Sequence, residues 1–272
     1  MDKKKLITSG VLATVVAVSG QFVQTGTTSG DSFFGLQRAE AGMFSGLADA
    51  FKHDATKAVK DGVKEGLNKA LDINYDGLNS HRNDMIHHLM LATGSFAASE
   101  YKIGVALDRA NEGNYQAMGA VANNLNSGHG SMNDVYIATS TPRISHDDLK
   151  LALATIESSN NQTMKAQAEQ QMRWAKGDNA RALFWCGMAA RDAAFLTSET
   201  AKGLKQAKNL DDIKAQLNEY TSALKDAKQV MGFIRSCIKD RNDARRAYDK
   251  VNNIKEPSKK DVQASVNAMG AE

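Results

Sequence analysis

Residues 80–107 read SHRNDMIHHLMLATGSFAASEYKIGVAL. Ile86, Leu89, Met90, Thr93, Phe96, Ala97, Tyr101, Gly104 and Leu107 recur at intervals of three and four, the spacing of one face of an α-helix. Ser80 stands in front of them as an N-cap. Nothing in the stretch breaks the helix, and the chain as a whole has two prolines and 39 alanines in 272 residues. Long runs without a breaker, filled with the best helix former, imply an all-α protein.

The same reading extends in both directions. Upstream, Phe44, Leu47, Ala48, Phe51, Ala55, Val59, Val63, Leu67 and Leu71 mark a helix over 43–71, and a break at 72–79 separates it from the helix at 80. Downstream, a short helix from Tyr115 to Leu125 precedes an irregular stretch, 126–144, that holds Gly128-His129-Gly130 and Pro142 and reads as the main surface loop. Within it, Val135–Thr139 is the only segment with strand-like alternation. Ser145 and Asp148 form a capping box that opens a helix to Lys176, Gly177-Asp178 ends it, and Asp178 caps the next, over 179–208. Asn209-Leu210-Asp211 turns the chain into a helix over 212–252. The stripes are rich in Ala, Gly, Ser and Met, which lets helices approach closely. The expected fold is an elongated antiparallel bundle of four or five long helices with short turns and one longer loop near 126–144. The bundle would occupy 42–256, with a short basic C-terminal helix or tail over 257–272; the alternative sets a helical hairpin, 43–112, apart from the rest.

Charge narrows the function classes. With 34 Lys+Arg against 31 Asp+Glu the excess of +3 is too small for a nucleic-acid binder. Part of that excess belongs to the first residues, where Lys3, Lys4 and Lys5 precede an apolar run from Leu6 to Val18. A charged start followed by about 7–15 apolar residues is the form of a secretory signal peptide, and a spanning helix needs about 20. Ala39-Glu40-Ala41 places cleavage after 41, and Val18-Ser19-Gly20 offers the alternative after 20. No transmembrane span follows. The chain reads as a secreted, periplasmic or cell-envelope protein.

Asp72-Ile73-Asn74-Tyr75-Asp76-Gly77-Leu78-Asn79-Ser80 has the first-half spacing of a calcium loop. Oxygen ligands would come from Asp72, Asn74, Asp76, the Leu78 carbonyl and Ser80, with Gly77 at the sharp turn. Over these nine residues the chain resembles an EF-hand-type loop spanning 72–84, which implies calcium as cofactor. It departs from the pattern at Asn79 and Asn83, where an apolar residue and a bidentate Glu are usual, and Asp84 falls one place late. The affinity expected is at the weak, extracellular end, about 10⁻⁴ to 10⁻³ M. The same residues also make an ordinary Asx/Gly turn.

His81, Asp84 and His88 fall at i, i+3 and i+7, on one helical face, and offer two imidazoles and a carboxylate to a transition metal. His129 and His146, in and beside the long loop, can complete such a site only through tertiary folding. The helix over 43–71 carries Lys52, Lys57, Lys60, Lys64 and Lys69 and has an amphipathic form suited to peripheral contact with a membrane surface or a partner, although Asp49, Asp54, Asp61 and Glu65 dilute its charge. Cys186 and Cys237 lie at similar distances from the turn near 210, so in an exported protein they are either a disulfide or two buried thiols. Trp174, Trp185 and the methionines around them read as core, and Arg241–Arg246 as a solvated face. No nucleophile elbow, phosphate loop, dinucleotide fingerprint, H-E-x-x-H or C-x-x-C occurs. The function expected is non-catalytic: binding or structural support in the cell envelope, with a protein or envelope partner.

Overall fold

A computed structural model describes residues 73–207 and 210–269. They form seven helices: α1 (Tyr75–Ala106), α2 (Gly113–Asn126), α3 (Met132–Ser140), α4 (His146–Ser158), α5 (Gln162–Gln206), α6 (Asp211–Val251) and α7 (Lys259–Ala268). No strand occurs among the described residues. The segments expected to form a signal peptide, 1–41, and an amphipathic helix, 43–71, lie outside the described residues.

The architecture is all-α, but seven helices replace the four or five long ones expected. Only α1, α5 and α6 are long, with 32, 45 and 41 residues. Three local signals account for the difference. Asp134 Oδ2 accepts from the Ser131 backbone N–H at 2.8 Å, so a capping box starts α3 inside the supposed loop, and Val135–Thr139 is helical rather than extended. Asn161 caps Met164 at 3.1 Å and divides the expected helix over 145–176 into α4 and the start of α5. Conversely, Gly177-Asp178 does not interrupt α5, because Asp178 is fully buried and held by Lys102 and Arg181 in the middle of the helix.

The three long helices form the core. α1 and α5 run antiparallel, tied by Asp192 to His81 and His88 at one level and by Asp178 to Lys102 at another. α1 and α6 run parallel with a constant offset of 141 residues: Tyr220 Oη donates to Asn79 Oδ1 at 2.7 Å, and Arg241 Nε donates to Glu100 Oε1 at 2.9 Å. Small side chains line the contacts; Ala92 and Ala97 of α1 and Ala182, Ala189 and Ala193 of α5 are all buried. α2 closes tightly on α1, where Gly104 leaves room for the ring of buried Tyr115. A second core region forms where α4, through Leu149, Leu153 and Ile156, packs with Ala168, Met172 and Ala175 of α5 and Ala244 and Tyr248 of α6. α7 reaches the main core through Val266.

Among the described residues no calcium-loop geometry is evident at the start of α1, and the cysteines take the second of the two alternatives left open for them. Asn74 caps α1 through Gly77 N at 2.9 Å, and residues from Tyr75 onward are helical. A calcium loop needs its oxygens wrapped around the ion on non-helical backbone, and no such feature is evident at Asn74, Asp76, Leu78 and Ser80; Leu78 is buried in the core, and Asp72 lies outside the described residues. Cys186 and Cys237 are free thiols. Lys176 and Asp249, bonded at 3.0 Å, mark where α5 faces α6. At about 100° per residue, Cys186, ten positions on, is turned about 80° from that line, and Cys237, twelve positions back, about 120°. Neither side chain lies on the line between the two helices. Burial raises both, Cys186 to about 11, with Arg235 opposing the rise at Cys186 and Arg143 at Cys237.

Candidate metal site

The site is built around a carboxylate that sequence reasoning did not single out. Asp192 lies in α5 on the stripe Trp185, Ala189, Asp192 and Leu196, at intervals of four, three and four, so the helix carries it into the core with its apolar neighbours. Its side chain is 1% exposed. A charge there requires partners, and α1 supplies two. Asp192 Oδ1 is 2.9 Å from Nδ1 of His81, and Oδ2 is 2.9 Å from Nδ1 of His88. An ionised carboxylate only accepts, which assigns the Nδ1 proton to both rings.

The rings are held differently. His88 stacks on Trp185, with centroids 5.5 Å apart and planes at 16°, while Phe184 meets Trp185 edge-on at 5.1 Å. Trp185 is buried. His81 packs on Phe195 at 3.9 Å and is more open, at 32% exposure against 15% for His88. The adjacent His87 is exposed; what burial it has, with the neighbouring His88, lowers its imidazole below the ordinary range, partly offset by Asp84.

Asp84 is one helical turn from both histidines and exposed. One ligand atom from each of His81, Asp84 and Asp192 lies within 4.8 Å of the others. Bonds of about 2.0–2.1 Å in a tetrahedron put ligand atoms about 3.3 Å apart. The His81–Asp192 edge is already at 2.9 Å, bridged by the Nδ1 proton of His81, so these groups could hold a zinc-type ion that displaces this proton, the ring then carrying its hydrogen on Nε2. An imidazole and two carboxylates suit zinc-like ions, whereas calcium takes six to eight oxygens at about 2.3–2.6 Å.

The structure thus brings His81 and Asp84 together as the helical spacing implied. His88 is at the site but bonded to the far oxygen of Asp192, outside the converging set. Asp76 does not join it. His129 stays in the turn after α2, with Nδ1 3.1 Å from Ser127 Oγ, and His146 faces Asp240 at 3.3 Å. The one signal in the sequence for Asp192 is an acid set on an otherwise apolar helical stripe. No protein-family model, no curated protein and no solved structure matches this chain.

Proposed function

We propose that the protein is exported and acts without catalysis, by binding in the cell envelope or outside the cell, and that α1 and α5 hold a divalent transition ion of the zinc type through His81, Asp84 and Asp192. The observation that carries the metal reading is the convergence of these three ligand atoms within 4.8 Å around a carboxylate that is 1% exposed. The export reading is supported by Lys3–Lys5 and the apolar run Leu6–Val18, and no helix among the described residues is long and apolar enough to cross a membrane. The absence of catalytic motifs in the sequence favours binding over chemistry.

Protein recovered from outside the cytoplasm, scanned for metals beside its intact mass, tests both halves. The expected result is one zinc-class ion per chain and a mature chain beginning after residue 20 or 41. A chain that holds no ion even after equilibration with zinc, or that takes calcium in preference, overturns the metal reading. A full-length mass overturns cleaved export.

A further inference from the structure

We propose that His88 is the positioning residue of the metal site: its Nδ1–H fixes Oδ2 of Asp192, and so presents Oδ1 to the ion beside His81 and Asp84. This rests on the zinc-type reading of the site. A carboxylate swings easily about its last torsion, whose wells are broad and two-fold, so a lone Asp192 would offer the ion two interchangeable oxygens and no fixed direction. The structure removes that freedom from one side. Oδ2 is taken by His88 at 2.9 Å, and the His88 ring is itself held by stacking on Trp185, which is buried and met edge-on by Phe184. Oδ1 accepts from Nδ1–H of His81 at 2.9 Å, and an ion bound there takes the place of that proton, which is released to solvent while the His81 ring keeps its hydrogen on Nε2.

The division of labour follows from which residues converge. His81, Asp84 and Asp192 bring their ligand atoms within 4.8 Å of one another and His88 is not in that group, although it sits on the same carboxylate. Its position is that of an outer hydrogen-bond donor to a metal-ligating carboxylate, a contact whose loss lowers metal affinity by about 10–100-fold. His81 and His88, seven residues apart on one helix face and both bonded to Asp192, therefore have separate roles: ligand and support.

The test uses the full mature chain with His88→Leu, His88→Asn, His81→Ala and Asp192→Asn, titrated with zinc against a chromophoric chelator and with cobalt(II) for its d–d spectrum. His88→Leu removes the donor and is expected to weaken zinc binding about 10–100-fold. His88→Asn keeps an N–H near the position of Nδ1 and is expected to recover most of that loss, which a role in packing alone would not do. At saturation the cobalt spectrum of His88→Leu should match that of the parent, because no ligand has been lost. His81→Ala and Asp192→Asn should abolish binding. Parent-like zinc affinity in His88→Leu, or failure of His88→Asn to recover, overturns the positioning role while leaving the site intact. A changed cobalt spectrum in His88→Leu also overturns it, by making His88 a ligand. If the parent binds no zinc, or His81→Ala and Asp192→Asn bind as the parent does, the metal reading itself fails.

Discussion

Gly177→Ala separates the observed α5 from a chain broken at Gly177-Asp178. Gly177 lies inside the 45-residue helix, and a Cβ built on it meets nothing within 4 Å. Alanine is worth about 0.8–1 kcal/mol over glycine in a helix interior, so the substitution should stabilise by close to that amount. In a domain of about 150–250 residues, 1 kcal/mol moves Tm by about 2–4 °C. Gly104→Ala is the matched contrast, because its Cβ would fall 2.4 Å from Cγ and 2.5 Å from Cδ1 of Tyr115, a buried ring with no open side to move into. The same gain in propensity is then set against overpacking of about 1–3 kcal/mol, and α2 must be pushed off α1. Thermal and urea unfolding followed by circular dichroism would read both. The expected pattern is a rise in Tm for Gly177→Ala and a fall for Gly104→Ala. A fall for Gly177→Ala would show that residue 177 ends one helix in a left-handed conformation, and a rise for Gly104→Ala would show that α2 is not seated on α1.

The other expectations concern buried groups. Glu100 and Arg241 are 1% and 3% exposed and bonded to each other, so Glu100→Ala strands the guanidinium with only Asp240, at 3.3 Å, and should cost about 3–5 kcal/mol in urea unfolding. Replacing both by apolar residues of similar volume should cost less than the single change; equal or greater loss would show that the pair is a net source of stability. Because burial raises both thiols, Cys186 to about 11, a disulfide-exchange reagent at neutral pH should react slowly with the native chain and titrate two thiols once it is unfolded without reductant. Finding none after unfolding would establish a disulfide.

The helical class was legible because it rests on local chemistry: few prolines, many alanines and apolar stripes at helical spacing. α6 shows how far that goes. Its bounds, Asp211–Val251, differ from the expected 212–252 by one residue at each end, since two acids open it and Asn252-Asn253 close it, with Asn253 at φ 49°. Gly177-Asp178 shows where local chemistry misleads. The pair has the composition of a helix stop and a cap, but Asp178 is committed to Lys102, 76 residues away, and to Arg181, so the helix continues. α3 was hidden for the opposite reason: its capping box at Ser131 and Asp134 lies in a segment whose glycines, asparagines and serines read as loop. At the site, the spacing of His81 and Asp84 is an intrahelical fact and could be read directly. Their meeting with Asp192 joins residues more than a hundred positions apart, and no local pattern encodes it.

The placement of these polar groups explains how alanine-rich helices keep one register. Faces such as those of α1 and α5, lined by Ala92, Ala97, Ala182, Ala189 and Ala193, are smooth, and sliding one turn along them, about 5.4 Å, exchanges similar small contacts for one another. The buried ions do not permit that slide. Asp178 and Asp192 are 14 residues apart on α5, about 21 Å, and each meets its partners on α1 only in the observed alignment. A one-turn slip would separate Asp178 from Lys102, leaving it Arg181 of its own helix alone, and would take Asp192, 1% exposed, away from both of its histidines, at a cost of several kcal/mol. Glu100–Arg241 and Asn79–Tyr220 fix α6 against α1 in the same way. Asp192 is thus required for alignment whether or not an ion is present. An ion held between Asp84 on α1 and Asp192 on α5 would strengthen the same cross-link, which places the metal site at a point where binding energy becomes stability of the helix pair.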